Sequence, residues 1–289
     1  MRNDIAQQVT DQIISLIESG QADTGWKAPW ASVNFGMPSN ATTGRTYNGV
    51  NVLLLWGAQE QHGYRSSQWA SFKQWQQAGY RLQDAKGKGQ QIVFWKILER
   101  KDEDGNDKKI PLMRFSYVFN ADLAVHAETG EPFVAAPVNH LDAIESADNV
   151  LFASGAMIHH QGSRAYYHRD QDAIYLPVKG DFHTASGYYS TALHELTHWT
   201  GHESRLNRQF GKRFGDEAYA AEELVAELGA AFLCAQIGIE SETREDHAKY
   251  VRNWLKVLRD DKTAIITAAS AASKAADFVL TADAQREAA

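Results

Sequence analysis

Apolar residues recur every three or four positions in many segments of the chain, which is the spacing of amphipathic helices. In the first half this pattern predicts helices over residues 1–20, 50–63 and 66–79, each of which ends at a glycine. In the second half the predicted helices cover residues 141–157, 188–202, 218–238, 247–261 and 263–280. The helix over residues 188–202 has Ser190 or Thr191 as its expected N-cap.

Segments rich in β-branched and aromatic residues predict strands over residues 92–100, 113–121 and 173–178. The fold class that follows is α+β with two domains. We expect an N-terminal α+β domain over residues 1–126 and a mainly helical domain with a small sheet over residues 141–289. Residues 127–140 contain two prolines and no periodicity, so they are the expected linker.

The chain has 289 residues, a net charge of −7 and one cysteine, Cys234. One cysteine excludes an intrachain disulfide and a cysteine-based zinc finger. Because no run of about 18 apolar residues is present, we expect no membrane-spanning helix and no membrane contact. The N-terminus lacks the basic start and apolar block of a signal peptide, so the expected location is the cytoplasm.

Positive charge and tryptophan are concentrated between residues 25 and 98. This stretch has eight basic and two acidic residues, a net charge of 8 − 2 = +6, and six of the eight tryptophans. Aromatic rings interleaved with cations suit single-stranded DNA, because bases stack on the rings and cations follow the phosphates. The candidate contacts from this pattern are Trp26, Lys27, Trp30, Arg45, Lys73, Lys86 and Lys88. The alternative is that the basic residues form an ordinary solvated surface and the tryptophans pack in the core. Trp56, Trp69 and Trp95 are the tryptophans that we expect in the core.

The sharpest chemical motif is the sequence HELTH at residues 194–198. On a helix His194 and His198 share one face, so both imidazoles can bind one metal ion. Glu195 then lies near the open coordination position, where it can take a proton from water. The alternative is an exposed helix face that happens to carry histidine and glutamate.

A catalytic metal site of this type requires a third protein ligand, and Glu223 on the next predicted helix is the candidate. Glu222 points about 100° away on the helix and is the less favoured choice. Glu227 lies one turn beyond Glu223 and is expected to orient a ligand histidine instead of binding metal. The two histidines and one glutamate favour zinc, and manganese is compatible with them.

Several other residues near this motif are candidates for roles at the site. A fourth ligand would close the site, so we expect His202 to be solvated or to face the substrate. Tyr188 and Tyr189 are candidates to stabilise an oxyanion, but packing in the core is the favoured interpretation. Cys234 lies among apolar residues and is expected to be an inert core thiol.

The chain resembles the ArdC antirestriction family over nearly its whole length. In the first half the segments that carry the resemblance are WKAPW, TGRTYNGVNVLLLW, GYRSSQWASFKQWQQAG, KGKGQQIVFWK and YVFNA. In the second half they are AYYHRDQDAIYLP, YYSTALHELTHWTGHESRLNR and YAAEELVAELGAAFL. The first half is also similar to a domain of TraC-type plasmid primases. The second half is similar to the metallopeptidase domain of polyvalent proteins, which is related to SprT-like zincins.

The resemblance implies a plasmid- or phage-borne protein that binds single-stranded DNA and protects incoming DNA from host restriction. It implies one divalent metal on His194, His198 and Glu223, with Glu195 as general base or acid. Host restriction-modification proteins are further expected partners. The motif positions Tyr47, Asn48 and Asn51 join the candidate DNA contacts.

Two alternative functions stay open. One is a SprT-like protease that acts on proteins bound to DNA. The other is a DNA-binding decoy whose metal ion only stabilises the fold.

Overall fold

The computed structural model describes residues 4–19, 21–22, 25–26, 36–101, 107–134, 143–209, 217–241 and 247–287. Its helices are α1 (Ile5–Ser19), α2 (Val50–His62), α3 (Phe72–Gln77), α4 (Ala143–Ala153), α5 (Ala185–Thr200), α6 (Glu217–Ile237), α7 (His247–Asp260) and α8 (Ala264–Glu287). Its strands are β1 (Gln21–Ala22), β2 (Gly25–Trp26), β3 (Ser39–Asn40), β4 (Gln68–Ala70), β5 (Tyr80–Leu82), β6 (Gln90–Lys101), β7 (Asp107–Asn120), β8 (Ala124–His126), β9 (Met157–His160), β10 (Tyr166–His168) and β11 (Ala173–Leu176). The predicted α+β class is confirmed.

The first half is built around the long hairpin of β6 and β7, in which β6 pairs antiparallel with residues 107–118 of β7. These strands form a four-stranded sheet in the order β3-β4-β7-β6, while β5 and β8 form a separate pair. In the second half, β10, β11 and β9 form a small sheet beside the helices, with β11 parallel to β9 and antiparallel to β10. The predicted strands over 92–100, 113–121 and 173–178 correspond to β6, β7 and β11.

One predicted helix in the first half is much shorter in the structure. The helix expected over residues 66–79 is only α3, because Gln68–Ala70 pairs with β3 and β7 instead. The helix begins after Ser71, whose hydroxyl accepts from the amide of Gln74 while the Gln74 side chain accepts from the amide of Ser71. This capping box sets the start of the helix five residues after the start of the predicted range at residue 66.

The two halves share one hydrophobic core. Buried residues of α1 and α2, such as Ile13 and Leu54, belong to the same cluster as Leu193 of α5 and Phe232 of α6. The hydroxyl of Thr10 donates a 2.7 Å hydrogen bond to a carbonyl in the turn between α7 and α8. The proposed domain boundaries therefore stay a prediction, and α1 covers helices of the second half.

The tryptophans of the first half divide into buried and exposed side chains. Trp56 and Trp69 are buried as predicted, but the expectation of a core position is wrong for Trp95, which is 59% exposed on β6. Alternation along β6 places Trp95 on the same side as the buried Val93, but Trp95 lines an open groove with α8 instead of packing in the core.

Helix α8 contains one stretch, Ala264–Ala282, that is long and apolar enough to cross a membrane by length and composition alone. The stretch is not a continuous apolar run, because it includes Ser270, Ser273, Lys274 and Asp277. One face of α8 packs into the core through side chains that include Ile265, Ala272 and Val279. Core helices of water-soluble proteins pass the same test, so the stretch is weak evidence for a membrane span.

Candidate metal centre

Helix α5 carries the two histidines and begins earlier than the sequence predicts. Its N-cap is Thr184, whose hydroxyl accepts a 2.9 Å hydrogen bond from the amide of Gly187. The caps predicted at Ser190 and Thr191 are wrong, since both residues lie inside the helix and are buried. Residues Leu193 and Leu196 anchor the helix in the core and turn the histidine face towards α6.

His194, His198 and Glu223 come together between α5 and α6. Each offers a donor atom, and these atoms lie within 4.8 Å of one another. The Glu223 carboxylate spans the two imidazoles, with Oε2 at 3.7 Å from Nε2 of His194 and Oε1 at 3.4 Å from Nε2 of His198. Two imidazole nitrogens and one carboxylate oxygen are the donor set of many catalytic zinc sites, so these residues fit a divalent ion.

Charges within the cluster shift the pKa values of Glu223 and His198 in opposite directions. Burial raises the pKa of Glu223, but the hydrogen bond and charge of His198 and the charge of His194 outweigh it and lower the pKa to about 2. Burial lowers the pKa of His198, but hydrogen bonds with Glu222 and Glu223 outweigh it and raise the pKa to about 10. A metal ion would therefore replace a proton between these groups.

Each histidine has a second carboxylate on the side opposite Glu223. Nδ1 of His198 lies 3.2 Å from Oε1 of Glu222, and Nδ1 of His194 lies 3.5 Å from Oε2 of Glu227. Arg208 in turn donates to both oxygens of Glu222, at 2.8 and 3.0 Å. Nε2 of both imidazoles therefore faces Glu223. Glu222 is placed to orient His198, which is the kind of role that was predicted for Glu227.

The two helices approach each other at a glycine. A Cβ built on Gly229 of α6 would lie 2.5 Å from Cγ2 and 2.8 Å from Oγ1 of Thr197 on α5. Any side chain at residue 229 would therefore push α6 away from α5. The close approach is what allows Glu223, less than two turns earlier on α6, to reach both histidines.

A cleft of about 210 Å³ opens in front of the cluster. Glu195 is buried and lines it together with His194, His198 and Glu223. Other lining residues are Ala165, Tyr166, Tyr167, Arg169, Tyr219 and Tyr250. Glu195 is thus next to the space in which a substrate would meet the three ligands.

Sequence reasoning missed the tyrosines of this cleft. The hydroxyl of Tyr219 is hydrogen-bonded to Tyr250 and Glu223. Tyr219 lies four residues before Glu223, and this spacing places both residues on one face of a helix. The sequence therefore contains a signal for Tyr219. Tyr250 comes from α7, and only tertiary packing brings it to the cleft.

Other candidates lie away from the cleft. Tyr188 and Tyr189 are buried within α5, where Nε2 of His160 lies 2.9 Å from the Tyr188 hydroxyl and Lys179 donates to the Tyr189 hydroxyl at 3.2 Å. The imidazole of His202 contacts Ser204 in the turn after α5 instead of the metal cluster.

Cys234 is fully buried, and burial raises the pKa of its thiol to about 12. The thiol is therefore protonated and inert, as the sequence predicts.

The predicted DNA contacts are spread over the first half. Lys27, Trp30 and the side chain of Trp26 lie outside the described residues. Arg45, Asn48, Lys73 and Lys86 are exposed, while Tyr47 and Lys88 are half-buried.

Asn51 has a structural contact that the sequence does not reveal. Its amide side chain donates to the carbonyl of Val93 and accepts from the amide of Val93, both at 2.8 Å. This pair of bonds fixes α2 to β6, which occupies the polar atoms of Asn51.

We predict that Glu223→Ala lowers divalent-metal affinity by more than about 100-fold, because it removes one of three donors. Metal analysis and titration of the purified variant measure this, with Glu240→Ala as a control at an exposed position just beyond α6. Full occupancy and unchanged affinity in Glu223→Ala would remove Glu223 from the site and point to Glu222 or Glu227.

We predict that Glu227→Gln weakens metal binding or activity by roughly 10–100-fold. The amide keeps the shape of the side chain but loses the negative charge beside Nδ1 of His194. The same titration checks this, and wild-type affinity together with wild-type activity would assign Glu227 to packing alone.

Comparison with known proteins links each half to a described family. Residues 3–119 match the model of the N-terminal domain of anti-restriction factor ArdC, and residues 145–271 match that of a zincin-like metallopeptidase. An uncharacterized protein, y4eC, from Sinorhizobium fredii is 37% identical over 96% of this chain and 91% of its own length. A DNA primase TraC from Escherichia coli is 37% identical over 95% of this chain, which corresponds to 27% of the primase.

Two solved structures share the fold over almost the entire chain. Both are of the antirestriction ArdC protein from plasmid R388. The metal-free one is 38% identical and covers 98% of both chains, with a TM-score of 0.81. The Mn(II)-bound one is 36% identical and covers 97% of this chain and 98% of the other, with a TM-score of 0.79. With both halves matched in order and near full-length likeness in sequence and structure, the chain belongs to the ArdC antirestriction family.

Proposed function

We propose that this protein binds single-stranded DNA and carries a metal-dependent peptidase, and that it protects incoming plasmid or phage DNA from host restriction in the bacterial cytoplasm. The observation that carries the proposal is the buried set of two histidines and Glu223, with Glu195 beside it in an open cleft. We retain residues 1–126 as the proposed DNA-binding part, 127–140 as the linker and 141–289 as the peptidase part.

The residues of the cleft suit hydrolysis of a peptide bond. A divalent ion on His194, His198 and Glu223 would polarise the substrate carbonyl and make water more acidic. The Glu195 carboxylate takes the proton of the attacking water and returns it to the nitrogen of the departing amine. Tyr219 lines the same cleft, and with Glu223 bound to a metal ion its hydroxyl would be available to donate to a developing oxyanion.

The metal that we propose is zinc, because two histidines and a glutamate are a common zinc donor set. Manganese is the alternative that the Mn(II)-bound relative supports. Imidazole and carboxylate ligands accept both ions, and competition between the two metals in one titration tests the assignment.

An open site favours catalysis over a purely structural metal. Structural zinc sites are closed by four protein ligands, whereas the described residues bring three donors together here, next to a cleft. This observation supports a peptidase in preference to a DNA-binding decoy. A SprT-like protease that acts on DNA-bound proteins uses the same chemistry and differs in its biological target.

Nucleic-acid binding rests on charge and on relatives. The stretch 25–98 carries a net charge of +6 in a chain whose total is −7. One relative is a plasmid antirestriction protein and another is a DNA primase. Host restriction-modification proteins are the proposed protein partners.

Plasmid transfer into restricting and non-restricting recipients tests the function, with wild type and Glu195→Gln compared side by side. We predict that Glu195→Gln retains metal but loses hydrolysis, because the amide cannot accept the proton. Protection in restricting recipients should be lost with it. Transfer into non-restricting recipients should be equal for both.

Metal content and folding of Glu195→Gln are measured in the same preparation, and Glu240→Ala is the matched control for an acidic residue outside the cleft. Protection that survives in Glu195→Gln would contradict a peptidase role and favour the decoy. A benefit of equal size in both recipients would contradict antirestriction and favour the SprT-like alternative.

A further inference from the structure

Three exposed aromatic side chains form a row on one face of the β6–β7 hairpin. Tyr117 is 50% exposed, Phe115 39% and Trp95 59%. The strand register pairs Gln91 with Tyr117, Val93 with Phe115 and Trp95 with Met113. Because directly paired residues lie on the same side of a sheet, and side chains alternate along each strand, the three rings share one face.

The beginning of this row is kept uncovered by a glycine. A Cβ built on Gly89, just before β6, would lie 3.1 Å from the ring of Phe119 and 3.5 Å from the ring of Tyr117. Because residue 89 is glycine, it places no side chain of its own against those rings. The row therefore presents aromatic surface from Tyr117 towards Trp95.

Beyond Trp95 the row leads into a groove of about 640 Å³ that both halves of the chain build. One wall is Trp95, and the opposite wall is α8 from Ile266 to Lys274. The turn after α5 closes the groove with Arg205, Leu206 and Arg208. The pattern is an aromatic and apolar wall next to cations, which matches a nucleotide with its base and phosphate.

The charge of the groove favours an anion. Lys274 is exposed on α8, and no acidic residue is among the described residues that line the groove. Arg205 and Arg208 are held from behind by Asp172 and Glu222, so their guanidinium groups have fixed positions. These two carboxylates offset part of the arginine charge, which leaves Lys274 as the main cation for a phosphate.

We propose that single-stranded DNA runs along Tyr117, Phe115 and Trp95 and that one nucleotide enters the groove, with its base on Trp95 and its phosphate near Lys274. This inference rests on the proposed single-stranded DNA binding and assigns it to residues that sequence analysis did not select. Bases that face rings must be unpaired, so the row selects single strands over duplex DNA.

The test uses the full-length protein and a fluorescent oligothymidine, because α1 and α2 share a core with the second half. We expect Trp95→Leu to bind about 5- to 150-fold more weakly, which is the usual loss of one stacked base. Trp95→Phe should retain most of the affinity, since phenylalanine keeps an aromatic face. A merely apolar contact would be kept by leucine.

Salt dependence separates the phosphate contact from stacking. For Lys274→Gln we expect the slope of log affinity against log salt to become shallower by about 0.7, the value for one phosphate on a single strand. For Trp95→Leu the slope should stay that of wild type. Matched controls are Phe152→Ala at an exposed aromatic of α4 and Arg252→Gln at an exposed cation of α7.

The outcomes distinguish this inference from the proposed function. If the wild-type chain fails to bind oligothymidine at low salt, single-stranded DNA binding itself is wrong. If wild type binds and both Trp95→Leu and Lys274→Gln bind like wild type, only the assignment to the row and groove is overturned. In that case Arg45, Asn48, Lys73 and Lys86 become the positions to test. Thermal unfolding of each variant confirms that the protein measured is folded.

Discussion

The close approach of α5 and α6 is the constraint on which the metal centre depends. Gly229 has no side chain, and Thr197 fills the space that a methyl group would need. Because of this contact, a carboxylate from one helix can bridge two imidazoles from the other. The ligand motif on α5 alone supplies only two donors, so a third depends on how tightly the helices pack.

The surroundings of the cluster follow from the same packing. Once α6 lies against α5, Glu222 and Glu227 reach the outer nitrogens of His198 and His194, and Arg208 anchors Glu222. Three buried carboxylates near two histidines would be costly without this pairing. The hydrophobic core shared by the two halves continues this packing, because α1 and α2 of the first half cover helices of the second half. The position of the β6–β7 hairpin beside α8 depends on that shared core.

Sequence spacing predicted the features that are local in the chain. The four-residue interval between His194 and His198 and the glycines after α2 and α6 are visible without any tertiary information. The prediction of Glu223 as a metal ligand required one further assumption, that the next helix packs against the first. For Cys234, apolar neighbours were sufficient to predict a buried thiol.

Features that depend on tertiary partners were missed. Thr184 lies before the recognisable helical pattern, and the capping box at Ser71 prevails only because Gln68–Ala70 is recruited into a sheet. Trp95 has the alternation of a core strand residue, and nothing local reveals that it lines an open groove instead of packing in the core. The sequence does not specify how α7 packs beside α6, so it does not reveal that Tyr250 of α7 lines the cleft.

Metal titration of Gly229→Ala tests this account most directly. Helix propensity alone predicts a gain of about 1 kcal/mol in the free energy of unfolding, because alanine replaces glycine inside a helix. Our account predicts instead a clash with Thr197, a displaced α6 and weaker metal binding although all three ligands remain. The double variant Gly229→Ala with Thr197→Ala should recover affinity, and Gln236→Ala on the exposed side of α6 is the control. A Gly229→Ala protein that is more stable and binds metal like wild type would contradict it.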